Sequence, residues 1–220
     1  MKYLIKGFNY LVVLLTPIII ILGVVRLVLS PMFLKIEYRM PNFPEDEFGF
    51  TIQDRLYWAE LSRQYLVNDA GIEFLEDLKF DNGSPIYNER ELNHMSDVKR
   101  VLRGTMDVLL ISSSLMIIIG LWAVLGKWWK RFLKSLESGG MLTSGLIIGI
   151  IFFLAISFNT FFVGFHKIFF KGDTWLFKYS DTLIRLFPVR FWMDTFIIVG
   201  VLSLLIGGGL AYFIGKVQRV

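Results

Sequence analysis

Four apolar stretches, at about 7–29, 105–126, 141–165 and 192–215, constrain this chain more than any other feature. Each approaches or exceeds the roughly 20 apolar residues a helix needs to cross about 30 Å of hydrocarbon at about 1.5 Å rise per residue. With 55% of its 220 residues hydrophobic and 16% aromatic, the chain is too apolar for a soluble domain and reads as an integral membrane protein. The first stretch follows Lys2 and Lys6, as a signal peptide would, but its apolar run is long and no small-x-small cleavage site follows at Ser30-Pro31. It is read as an uncleaved anchor.

The net charge of +4 hides an asymmetry that orients these spans. Lys2, Lys6, Lys127, Lys130, Arg131, Lys134, Lys216 and Arg219 lie in three segments against the single acid Glu137, whereas 31–103 carries 14 acidic residues against nine basic ones. Basic residues concentrate in cytoplasmic loops, so both termini and the 127–140 loop are expected on the cytoplasmic side of the membrane. Basic patches also serve nucleic-acid binding, but these flank spans, and no nucleic-acid partner is implied. Cysteine is absent, which excludes a cysteine nucleophile, thiol redox chemistry and disulfides.

The resulting expectation is an all-α integral membrane fold: a four-transmembrane-helix bundle with a mostly helical extracytoplasmic cap. Residues 1–30 form the cytoplasmic N-terminus and first span, 31–104 an extracytoplasmic domain, 105–126 the second span and 127–140 a cytoplasmic basic loop. Residues 141–165 form the third span, 166–191 an extracytoplasmic aromatic loop, and 192–220 the fourth span with a cytoplasmic C-terminus.

Segment 31–104 is too long for a plain connector. Pro31, Pro41, Pro44 and the run 42–47 read as turns and extended chain. Helices are expected from Asp54 through Leu66, over 71–78, and from about Tyr87 through His94 to Arg103, meeting or bending into the second span at Gly104. Asp81-Asn82-Gly83-Ser84-Pro85 is a turn. In 166–191, Ser180 or Asp181 can cap a short helix presenting Leu183, Ile184 and Phe187, stopped by Pro188. Its aromatics, with Lys167, Lys171, Arg185 and Arg190, suit the headgroup layer.

The only two histidines, His94 and His166, fall at the outer ends of apolar segments. An unperturbed imidazole titrates near pH 6.5, which makes it the side chain best suited to moving protons at neutral pH. On a helix His94 and Asp97 share a face, so the carboxylate can orient the ring; Glu91, one turn the other way, is a second candidate. An ordinary surface charge pattern fits the same spacing. His166 follows an almost entirely apolar run and is read either as an interfacial anchor or as a second catalytic or substrate-orienting group, with Asp173 as its partner.

Arg26, Asp107 and Asp194 sit inside or at the edge of spans, where ionisable groups pair or line a polar cleft, or else snorkel to the interface. An Arg26 pair with Asp107 or Asp194 is one such arrangement. A zinc site would need Asp97, Asp173 or a glutamate beside both histidines, and no HExxH or close ligand spacing is present, so no metal is expected. Hydrolase elbows and Gly-rich phosphate loops are missing. Ser96 lies two residues from His94, a spacing that points the two side chains apart on a helix.

Asn93-His94-Met95-Ser96-Asp97-Val98, then Phe165-His166-Lys167-Ile168-Phe169-Phe170, Asp173-Thr174-Trp175-Leu176-Phe177, Asp181-x-Leu-Ile and Phe187-Pro188 together resemble the lipoprotein intramolecular transacylase family, Lit. The resemblance covers essentially the whole chain and is carried by the order of these motifs; it departs at Lys178-Tyr179, where an Asp-Pro-like turn is the family pattern. It implies a membrane enzyme of the type found in low-GC Gram-positive bacteria. Such an enzyme moves the sn-2 acyl chain of a diacylglyceryl lipoprotein to the α-amino group of that lipoprotein's N-terminal cysteine, leaving a lyso-form lipoprotein.

The resemblance assigns essential roles to His94 and His166, and implies no cofactor and no partners beyond the lipoprotein and membrane lipid. A monomer is expected. The nucleophile is then the substrate's own amine, consistent with a chain lacking cysteine and a nucleophile elbow. His94 is expected as the general base, oriented by Asp97 or Glu91, with His166 binding or polarising the ester or returning the proton. The rivals are a non-enzymatic membrane adaptor or assembly factor, and a lipoprotein or phospholipid deacylase.

Overall fold

A computed structural model of the protein describes residues Lys2–Arg219. Nine helices and no strand are found among them: α1 (Lys2–Val28), α2 (Pro31–Glu37), α3 (Ile52–Val67), α4 (Glu73–Glu76), α5 (Glu89–Leu125), α6 (Trp129–Ile156), α7 (Phe158–Phe169), α8 (Thr182–Leu186) and α9 (Val189–Arg219). Four of them, α1, α5, α6 and α9, are long and apolar enough to cross a membrane. Hydrocarbon offers no hydrogen bonds to a backbone, and a helix satisfies its own.

The chain divides into two units. The first comprises Met1–Leu27, Thr105–Ile156 and Ile197–Val220. Val12, Leu15, Ile119, Ala123, Trp128 and Phe132 pack in its interior. Small residues bring α6 and α9 to backbone contact: a Cβ on Gly140 would lie 2.5 Å from the carbonyl oxygen of Gly207. Such close approach is how helices associate where apolar burial gives no advantage over lipid.

The second unit comprises Val28–Gly104 and Ser157–Phe196. Its main core gathers Tyr65, Leu75, Ile86, Tyr87, Met95, Leu183 and Leu186. A smaller cluster forms around Leu34, Tyr38, Ala59 and Phe191. Helix α3 starts on a capping box, with Thr51 and Asp54 satisfying each other's backbone N–H groups. Asn88 and Glu91 do the same for α5, at 2.8 and 3.1 Å.

Several expected boundaries move. Pro31, read as a turn residue, opens the helix Pro31–Glu37, because Ser30 caps the Phe33 N–H and Pro31 occupies the first turn, where its missing N–H has no role. The basic loop expected over 127–140 shrinks, since α6 already begins at Trp129; its Lys130, Arg131 and Lys134 are compatible with the helix they precede the apolar run on. The third span does not run on to 165. It ends at Ile156, where Ser157 is extended and its hydroxyl accepts the Thr160 N–H to cap the separate helix α7. No bend occurs at Gly104, and α5 runs unbroken from Glu89 to Leu125. It has 37 residues, and its apolar 105–125 part, about 31 Å long, suffices to span. The short helix expected after Asp181 is α8, although its cap bond is absent.

Candidate active site

His94 comes from the first turns of α5 and His166 from the last turn of α7, both in the second unit. Their ring centroids lie 6.1 Å apart, with planes 20° from parallel. Both are buried, at 8% and 9% exposure. Phe170 and Phe177 meet His94 edge-on, at 4.9 and 5.3 Å. Phe162 and Trp175 approach His166 at 4.1 and 5.0 Å. The aromatic loop that suits a headgroup layer thus also walls the histidine pair.

These walls set the charge state. Burial, reinforced by the neighbouring His166 and opposed by Asp97, pushes the His94 pKa down to about 4. Burial likewise lowers that of His166, against the Phe162 carbonyl. Burial thus favours the neutral form of both rings. His166 Nδ1 lies 2.8 Å from the Phe162 carbonyl oxygen; a carbonyl only accepts, so Nδ1 carries the hydrogen and Nε2 keeps a free lone pair. His94 Nδ1 is buried with no hydrogen-bond partner.

The expected orienting groups are engaged elsewhere. Asp97 accepts from Arg100 at 3.1 Å. The Glu91 carboxylate, 1% exposed, accepts the backbone N–H groups of Asn88 and Leu183, tying the start of α5 to α8. Burial raises its pKa despite these donors. Asp173 lies 3.6 Å from Arg90 and is largely exposed, so it does not serve His166. The orienting group of His166 is a backbone carbonyl one helical turn away, which no side-chain spacing could reveal.

The Arg26 pairing does not form. Asp194 is held by Arg190, and among the described residues Arg26 and Asp107 enter no ion pair. Asp194 instead has a neighbour that the sequence reading missed. Glu37 is fully buried, and neither of its carboxyl oxygens receives a hydrogen bond. Burial and the adjacent Asp194 push its pKa up to about 7, against Arg190. An acid flanked by the apolar Ile36 and Tyr38 was the available signal. Arg90 was missed as well: it donates to the carbonyls of Asp173 and Leu176, bracketing Trp175. No three histidine, aspartate or glutamate side chains gather to hold a metal among the described residues.

Four helices long and apolar enough to cross a membrane, and a buried pair of imidazoles of which one directs its Nδ1 to a backbone carbonyl, define an integral membrane protein with a two-histidine site. Comparison with known proteins gives that class its family. The family model described as lipoprotein intramolecular transacylase Lit matches residues 10–192, and the chain belongs to this family of membrane acyltransferases. An uncharacterized protein of Aquifex aeolicus is 31% identical over 202 residues, 92% of this chain and 90% of its own. The structure of the membrane integral lipoprotein intramolecular transacylase Lit from Bacillus cereus is similar over 100% of this chain and 99% of that one, with a TM-score of 0.82 at 21% identity. A variant of the Bacillus protein with one histidine changed to alanine has a TM-score of 0.66 at 21% identity, over 99% and 98% of the two chains. The chain is a membrane-localised intramolecular acyl-transfer enzyme of lipoproteins.

Proposed function

We propose that the protein moves the sn-2 acyl chain of a diacylglyceryl lipoprotein to the α-amino group of the lipoprotein's N-terminal cysteine at the histidine pair, on the outer face of the membrane. The observation that carries the site assignment is the Nδ1–H of His166 donating to the Phe162 carbonyl, which leaves Nε2 as a base in an aromatic pocket. The roles expected from sequence are therefore exchanged: His166 is the base, and His94, neutral with an unpartnered Nδ1, polarises the ester.

An α-amino group has a pKa of about 7.7–8.0, so it reaches the site as the free amine only in part at neutral pH. The amine nitrogen adds to the ester carbonyl carbon while His166 Nε2 takes its proton, and the imidazolium returns that proton to the departing sn-2 oxygen. One C–N bond forms, one C–O bond breaks, and a free hydroxyl remains on the glyceryl. General base catalysis supplies roughly 10²–10⁴-fold, and the tethering of amine to ester supplies the rest through orientation. Excess Lys and Arg at both termini and over 127–134 supports an inward placement of those segments and an outward one for the histidines. The enzyme acts as a monomer among membrane lipids.

The test is mass spectrometry of a synthetic diacylglyceryl lipopeptide incubated with the purified protein in lipid. Transfer leaves the total mass unchanged, puts an acyl chain on the cysteine nitrogen, and falls by roughly 10²–10⁴-fold in His94→Gln and in His166→Gln. Loss of one chain as free fatty acid identifies a deacylase, and an unmodified peptide identifies a non-enzymatic protein.

A further inference from the structure

Three polar atoms around the histidine pair have no partner although they are buried: His94 Nδ1, Trp175 Nε1 and Thr174 Oγ1. Buried polar groups are nearly always hydrogen-bonded, and clustered exceptions mark places where a ligand completes the set. Trp175 is the most telling of the three. Its indole N–H can only donate and cannot ionise, so no tautomer or rotamer within the chain turns it into an acceptor. It wants an oxygen.

The loop holds this donor in place. Arg90 donates to the carbonyl of Asp173 at 3.1 Å and to that of Leu176 at 3.3 Å, on either side of Trp175. Gly172, at φ +72°, makes the turn that leads into it, a conformation other residues adopt only with strain. The indole ring lies 5.0 Å from His166, centroid to centroid. A fixed donor beside a base that sits among the rings of Phe162, Phe170 and Trp175 is the arrangement that stabilises charge developing on a carbonyl oxygen.

We propose that the Trp175 indole N–H donates to the carbonyl oxygen of the sn-2 ester, and more strongly to the oxyanion formed when the amine adds. This rests on the acyl-transfer reading above. Attack by the amine nitrogen pushes the carbonyl π pair onto that oxygen. Collapse returns the pair, expels the sn-2 oxygen, and leaves the amide oxygen in the same cradle. Trp175 gains and loses no proton throughout, while His166 carries the one that moves.

The experiment replaces Trp175 by 3-benzothienylalanine, which keeps the bicyclic shape and substitutes sulfur for the N–H, in the full chain reconstituted with the diacylglyceryl lipopeptide. Single-turnover transfer should fall on the order of 10²-fold, the loss seen when one oxyanion donor is removed, with KM unchanged and the melting temperature as in wild type. A site-specific 5-fluorotryptophan, which keeps the N–H, should retain the wild-type rate. If the benzothienyl protein does not fold, Trp175→Phe is read in the same way. Wild-type transfer with an undiminished benzothienyl rate, or with only KM raised, overturns the donor role and leaves the transacylase reading standing. Absence of transfer by the wild type overturns that reading and the donor role with it.

Discussion

Glu91 accepts the backbone N–H of Leu183 at 2.7 Å, joining the first turn of α5 to the first turn of α8 from positions far apart in the chain. Its other oxygen accepts the Asn88 N–H at 2.8 Å. Placed one turn from His94, Glu91 has the spacing of a catalytic orienter, yet both oxygens are spent on backbone donors.

Glu91→Ala is therefore expected to lower stability rather than chemistry. Two N–H groups lose their acceptor, each at about 1–3 kcal/mol, partly offset because a buried carboxylate is itself costly to desolvate. A net loss of about 2 kcal/mol or more should appear in thermal unfolding in detergent, with transfer per folded molecule retained at low temperature. Unchanged melting with lost transfer would restore Glu91 as an orienting group.

Glu37 and Asp194 give a second prediction, in which pH decides the sign. The folded-state pKa of Glu37, at about 7, lies above its ordinary value of 4.5, so folding favours its protonated form, which can donate to the Asp194 carboxylate. Relative to acidic conditions, the Glu37 contribution to stability falls as pH rises from about 4.5 to 7, by up to about 3 kcal/mol, and then levels off. Glu37→Gln keeps a donor and removes the charge. Its melting temperature should match wild type near pH 5 and exceed it at pH 8. A difference independent of pH would show that Glu37 stays ionised and is held by Arg190 instead.

The spans, the all-helical character and the two histidines were legible because each rests on local pattern: apolar run length, the 3.6-residue period, or a rare residue type. What the sequence hid depends on pairing across distance. Asp97 and Asp173 have the spacing of orienting groups, but Arg100 and Arg90 claim them. The group that fixes the tautomer of His166 is the carbonyl of Phe162, and every residue has a carbonyl. Pro31 was read as a breaker because proline ends helices more visibly than it begins them, although Ser30 before it is the capping signal. Trp175 was one aromatic among many until burial singled out its N–H.

The histidine environment predicts the pH profile of transfer. Burial lowers both imidazoles, His94 to about 4 and His166 below its ordinary value of 6.5, so from about pH 7 upward the neutral form of both rings is favoured. The substrate amine still titrates there, and with a pKa of about 7.7–8.0 its free fraction grows roughly tenfold per pH unit below that value. Single-turnover transfer should thus rise with pH from about 7 to about 8, following the free amine, and then level, with no descending limb up to pH 9. His94→Gln should lower the plateau without moving the inflection, since that inflection belongs to the substrate. Stability should behave differently. The unfolded chain takes up protons from about pH 6.5 downward that the buried rings refuse, so the histidines' own contribution to stability is largest above that value and is lost as pH drops toward 4, opposite in sign to that of Glu37; the melting temperature of Glu37→Gln should therefore fall more steeply with decreasing pH than that of wild type. An inflection near 6.5 in the rate, shifted or abolished in His166→Gln, would show that His166 titrates in the working range and that the aromatic walls do not keep it neutral.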